Sequence, residues 1–224
     1  VHDNKQKENF KAKARLEVQE KPVMLSGKAL VEKTEEKYLG DVLSSIGLAA
    51  SVEATVKERE GKVKGSIYEL RAIVEDFRMQ AVGGIEAAID LYESCIVPSL
   101  LANCSTWMEV KEQTEKRLNA IQDLFGRVLL QVPQSSPRLA TRAALGLLGM
   151  HWRLWQEKIL LVMAIWKQEE SCLAREVLTE QVRMGWPGLG TEVRAICQEI
   201  GIENVTQEEC RIDKEEVKKA IRLN

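Results

Sequence analysis

The stretch that decides the fold is ASVEATVKEREGKVKGSIYELRAIVEDFR, residues 50–78. Within it Val52, Val56, Val63, Ile67, Leu70 and Val74 recur at helical spacing, so their side chains fall on one side of a cylinder. The spacing predicts a single long amphipathic helix from about Ala50. Working outward, the pattern stays helical. Ile85, Ala88, Ile89, Tyr92 and Ile96 mark a second helix, which Pro98 is expected to kink or end. Leu118, Ile121, Phe125, Val128 and Leu129 mark a third, stopping near Pro133. After the connector QVPQSSPR, Trp155, Ile159, Val162, Met163 and Trp166 predict a helix apolar around much of its circumference, placed at the centre of a C-terminal bundle. Helices over Leu173–Met184, Glu192–Ile200 and Lys214–Arg222 complete the reading.

Toward the N-terminus the period shortens. Val23–Leu25 and Ala29–Val31 flank Ser26-Gly27-Lys28, a hairpin signal, and a third extended piece through Tyr38 and Leu39 ends at Gly40, where strand content is expected to stop. Residues 1–21 are dense in charge and read as a solvated arm. The expected fold is therefore mainly α: a charged arm (1–21), a small β-hairpin region (22–48), a helical subdomain (49–132) and a C-terminal helical subdomain (133–224).

Composition bounds the rest. The 224 residues carry 32 Lys+Arg against 34 Asp+Glu, for a formal net charge of -2. Hydrophobic residues make up 45%, enough for a core. No apolar run approaches the roughly 18 to 20 residues of a membrane span, and the N-terminus lacks the apolar segment of a secretory signal. An intracellular protein, in cytoplasm or nucleus, is expected, with no membrane partner. The sequence starts without Met, which reads as a fragment or a processed piece. Cys95, Cys104, Cys172, Cys197 and Cys210 form no CxxC pair and read as reduced, mostly buried thiols.

Motifs for catalysis are lacking. His2 and His151 make no zinc pair or nucleophile–base constellation, and His151 beside Trp152 reads as a packing or helix-start residue. There is no GxxxxGK[ST] loop and no GxGxxG after a strand. Gly83-Gly84 reads first as a helix start, and Glu35-Glu36 and Glu169-Glu170 as solvated charge. One pattern points to a ligand. Lys57, Lys64, Arg71 and Arg78 recur every seven residues, one position after the apolar stripe of Val56, Val63 and Leu70. A seven-residue step returns to within about 20° of its starting direction, so these cations line one edge of the helix, with Arg59 and Lys62 adding charge nearby. Such a stripe suits phosphate contacts, or equally an ordinary charged helix surface laced by i,i+4 pairs.

Particular strings add to this. PVMLSGK, then EKYLGD, then helices, then YESCIVPSLLANCSTW, then LNAIQDLFGRVLL, in that order, resemble the C-terminal part of a non-LTR (LINE-type) retrotransposon reverse transcriptase. The likeness extends over nearly the whole chain. It implies that Lys37, Tyr38, Leu39 and Gly40 form a primer-grip hairpin, with Tyr38 positioning the primer terminus and Lys37 neutralising a phosphate. It also implies that the helices from about Ala50 form a thumb, with Lys57, Arg59, Lys62, Lys64, Arg71 and Arg78 along the backbone of an RNA/DNA duplex. Trp107, Leu100, Leu101, Trp152, Trp155 and Trp166 read as core. The palm, with the catalytic aspartates that hold two divalent ions (Mg2+) in the intact polymerase, is expected to lie N-terminal to Val1, as a missing partner portion. The chain itself is then expected to need no cofactor, to contain no catalytic residue or metal site, and to bind without catalysing alone. The alternative is a helical protein–protein interaction module that binds no nucleic acid.

Overall fold

A computed structural model describes residues 24–25, 28–29, 33–78, 84–202, 205 and 212–223, and side chains for these apart from 24–25, 28–29 and 73–78. The charged arm, Gly83, Cys210 and the side chains of Val74 and Arg78 therefore lie outside the described residues. The elements run β1 (Met24–Leu25), β2 (Lys28–Ala29), β3 (Glu35–Tyr38) and β4 (Asp41–Ser44), followed by α1 (Leu48–Arg78) and α2 (Gly84–Leu91). A π-helical turn (Tyr92–Ile96), α3 (Val97–Leu101) and a 3-10 turn (Cys104–Thr106) come next. Then follow α4 (Glu112–Leu130), α5 (Arg138–Ala144), α6 (Met150–Trp166), α7 (Leu173–Met184), α8 (Leu189–Ile200) and α9 (Lys214–Leu223). The protein is mostly helical, with small antiparallel hairpins near the N-terminus, as the periodicity predicts.

Strand content does not stop at Gly40. β3 and β4 pair antiparallel, with Tyr38 opposite Asp41 and Glu35 opposite Ser44. The two-residue turn between them puts Leu39 at φ 48 and Gly40 at φ 88. Both central residues of a type I′ turn need positive φ, which Gly40 takes freely and Leu39 takes at a steric cost of about 1–2 kcal/mol.

α1 buries the predicted stripe: Val52, Val56, Val63, Ile67 and Leu70 all face the core. They pack with Tyr92, Ile96, Leu100, Leu118, Phe125 and their neighbours into one hydrophobic cluster. Tyr92 stacks on Phe125 with ring centroids 3.9 Å apart, joining the π turn to α4. Pro98 does not end its helix. The Val97 N–H bonds to the Tyr92 carbonyl, five residues back, and this wider turn makes room for a residue that lacks an N–H and would clash with the carbonyl four positions earlier. α4 ends where Gln131 turns left-handed (φ 54) and its N–H caps the Arg127 carbonyl, with Pro133 just beyond.

A second cluster gathers Ile159, Val162 and Met163 of α6 with Leu178 of α7, Val193, Ile196, Cys197 and Ile200 of α8, and Val217 and Ile221 of α9. α6 is the shared element, since its first turns carry Met150 and Leu154 of the first cluster and the remainder faces the second. The two clusters thus divide inside α6, beyond the connector at 133–137. α7 and α8 approach closely at Gly190, where a Cβ would stand 2.7 Å from the Val182 Cγ2. A side chain there would force the helices apart.

Candidate nucleic-acid interface

The β3–β4 hairpin is held on α1 by polar ties. The outward N–H groups of β4 donate to hydroxyls of the helix, Val42 to Thr55 Oγ1 at 2.8 Å and Ser44 to Ser51 Oγ at 2.8 Å. Arg59 forms the main tie. It is 7% exposed, and its guanidinium donates from Nη2 to the Gly40 carbonyl (3.0 Å) and Asp41 Oδ1 (2.7 Å). From Nη1 it donates to the carbonyls of Leu100 (3.2 Å) and Ala102 (2.6 Å), at the end of α3. The guanidinium also lies 5.5 Å from the Trp107 ring centroid, a cation–π distance. Asn103 donates to the second Asp41 oxygen at 3.1 Å. The strained turn at Leu39-Gly40, the start of α1 and the loop after α3 are therefore one hydrogen-bonded unit, built on a planar fork that only arginine supplies.

Arg59 consequently does not belong to the exposed basic edge, against the expectation that it lies along a nucleic-acid backbone: its donors are turned inward and occupied. The other cations are placed differently. Lys37, Lys57, Lys62, Lys64 and Arg71 are exposed. Lys37 and Lys62 both donate to Glu58 Oε1. The hydrogen bond to Glu58 raises the Lys37 ammonium above its ordinary value, and the hydrogen bonds from Lys37 and then Lys62 hold the Glu58 carboxyl below the usual range. Lys64 and Arg117 of α4 both pair with Glu60. Burial opposes ionisation of Glu60, but those two hydrogen bonds outweigh it and its carboxyl is also held low.

On the helical wheel Lys57, Gly61, Lys64, Tyr68 and Arg71 share one edge of α1. Tyr68 is 56% exposed within it, and Gly61 leaves open space above the main chain. Over the whole of α1, acidic residues match the cations: Glu53, Glu58, Glu60, Glu69, Glu75 and Asp76 against Lys57, Arg59, Lys62, Lys64, Arg71 and Arg78. The helix has a basic edge without a basic excess.

At the hairpin tip Tyr38 is 62% exposed and Leu39 beside it is exposed, while Leu43, Ile46 and Leu48 are exposed farther along, toward the start of α1. Trp107, Leu100 and Leu101 are buried, and Trp152, Trp155 and Trp166 pack on the second cluster. His151 is half-buried in edge contact with Trp155, and burial pushes its pKa down. Burial also pushes the Cys104 thiol up to about 12, which leaves it without nucleophilic thiolate at neutral pH. Among the described residues no cluster of His, Cys, Asp or Glu is arranged to hold a metal ion, and no helix is long and apolar enough to cross a membrane.

Asp41, Ser51, Thr55 and Asn103 have structural roles that their sequence neighbourhood does not display. Asp41 follows the turn glycine directly, the one local signal for an acceptor at the turn. The partners of Ser51 and Thr55 lie 7 and 13 residues back on β4, and that of Asn103 lies 62 residues away. Comparison with known protein families, curated proteins and solved structures finds no match for this chain.

Proposed function

We propose that the chain grips a nucleic-acid duplex by its backbone, as the primer-grip and thumb portion of an RNA-directed DNA polymerase of the non-LTR retrotransposon kind. The observation that carries this reading is the edge of α1 on which Lys57, Lys64 and Arg71 flank an exposed Tyr68 and a bare glycine surface. Cations held at a helical repeat contact phosphates without reading bases, as copying an arbitrary template requires. An exposed aromatic among them offers a stacking or sugar contact. The hairpin supports the same reading, because Arg59 and Asn103 fix the turn next to Tyr38 and leave the tyrosine ring in solvent.

In a reverse transcriptase the reaction rests on two divalent ions held by palm aspartates. The resemblance gives this chain the primer-grip and thumb elements and not the palm, so the role assigned to it is to bind and orient the duplex. The test is fluorescence-anisotropy binding to an RNA–DNA heteroduplex at two salt concentrations, with a variant carrying Lys57, Lys64, Arg71 and Arg78→Ala. Binding is expected to weaken with salt, and the log–log slope to fall by about one for each phosphate contact removed. Binding unchanged in the variant, or none by folded wild type, removes the proposal. The second outcome favours an interaction module, for which the exposed apolar residues Leu173, Val177, Met184 and Trp186 on and after α7 are the supporting observation.

A further inference from the structure

We propose that the open edge of β3 pairs with β3 of a second copy, antiparallel about a two-fold axis at Glu36, to make a four-stranded sheet. The argument starts from which main-chain groups are occupied. Tyr38 and Asp41 flank a two-residue turn and so form a hydrogen-bonded pair, as Glu36 and Leu43 do one step on. The Ser45 N–H to Thr34 carbonyl bond continues that alternation. The N–H and C=O groups of Val42 and Ser44 on β4, and of Glu35 and Lys37 on β3, therefore point away from the hairpin.

The two edges meet different fates. On β4 the outward N–H groups are taken by Thr55 and Ser51 of α1. On β3 the main chains of Glu35 and Lys37 make no such bond among the described residues, and every residue of the strand is exposed. A two-stranded hairpin is marginal by itself, and an unpaired edge is a template for another strand.

Charge selects the occupant. Charged edge residues usually discourage pairing, but here their order is self-complementary. About an axis at Glu36, Glu35 of each copy stands opposite Lys37 of the other, giving two reciprocal ion pairs. Moving the axis by one residue either way sets Glu35 or Lys37 against itself. Glu36 does face its own copy, and each is already paired with Lys33 at 2.5 Å. Tyr38, on the same face as Glu36, then stands opposite Thr34 of the second copy, a cross-strand neighbour it lacks in the isolated hairpin. The basic edge of α1 is not used, so duplex contacts there are unaffected, but β3 carries Lys37 and Tyr38, so pairing of β3 competes with a primer contact at the hairpin.

The experiment is sedimentation velocity of the full chain over a wide concentration range, with Glu35→Lys, Lys37→Glu and the double exchange. Wild type is expected to show a reversible monomer–dimer equilibrium. Each single reversal sets like charges opposite one another twice and should weaken dimerisation about tenfold or more. The double exchange, which restores opposite charges, should recover it. Because Lys37 also pairs with Glu58, circular dichroism checks each fold, and amide exchange gives a readout free of mutation: the Glu35 and Lys37 N–H groups of wild type should be protected at dimer-forming concentration and not below it. A wild type that stays monomeric overturns the proposal, as does a dimer indifferent to the single reversals or one that leaves those amides unprotected.

Discussion

The two cations buried among the described residues, Arg59 in the hairpin region and Lys158 in the C-terminal bundle, solve the same problem in opposite ways. Arg59 has four oxygen acceptors drawn from two separate loops, and a tryptophan face. Lys158 is 2% exposed on α6 and, among the described residues, donates one hydrogen bond, to Glu192 in the first turn of α8. Around Arg59 the structure is organised by hydrogen bonds, and few apolar side chains hold the hairpin down. Around Lys158 apolar packing predominates: Ile159 and Val162 of the same helix, and Val193 next to Glu192, are buried in the second cluster. The difference teaches where polar atoms determine shape: where apolar surface is scarce, one guanidinium can define a turn.

Arg59→Ala tests this most severely. It leaves the Asp41 carboxylate and three carbonyls without their donor, and a loss of about 3–5 kcal/mol is expected from breaking a pair of this kind. Chemical denaturation measures the loss, and amide exchange should show β4 opening before α6. Arg59→Lys keeps the charge and loses the fork, so it should recover less than half of the difference; full recovery would show that charge alone matters.

Lys158→Met combined with Glu192→Leu marks the other side of the comparison. Both charges are removed together, so no buried carboxylate is left unpaired: one Glu192 oxygen is buried and the other pairs with Lys158. Stability is expected to stay within about 1 kcal/mol of wild type or to rise. A loss as large as that for Arg59→Ala would erase the distinction between the two regions.

The smallest effect is one of pH. The folded-state pKa of Glu58 lies below its ordinary value of 4.5. Its contribution is therefore fully present above that value and fades as the pH falls through the lowered one. Acid should loosen the hairpin through loss of the Lys37 contact, and Glu58→Gln should remove that part of the acid sensitivity. Nuclear magnetic resonance shifts of β3 during an acid titration would register it. Identical titrations of the two proteins would count against the pair.

The helices were legible because their information is local. Val52, Val56, Val63 and Ile67 state the direction of α1 without reference to anything else, and the same holds for the apolar faces of α4 and α6. β4 was missed because Asp-Val-Leu-Ser is a weak strand signal whose register is fixed by hydroxyls of α1. The pattern suggests a kink or an end at Pro98, and the helix continues there through a π turn that residue spacing alone does not announce. Arg59 resembled its surface neighbours in sequence, and its acceptors lie 18 to 43 residues away. Of the site residues, the exposed positions of Lys37, Tyr38, Lys57, Lys64 and Arg71 follow from periodicity and turn chemistry. The ion pairs that partly neutralise them depend on tertiary contacts and were visible only as i,i+4 spacings within α1.

The hydroxyl groups of Ser51 and Thr55 have a consequence for how far assembly can go. A hairpin with two bare edges can recruit copies on both sides and grow without limit. Capping one side makes the sheet directional, so a single encounter consumes the remaining edge and the outermost strands of the product are already sealed. Two short polar side chains on one helix thus act as chain terminators, separating a closed pair from a filament.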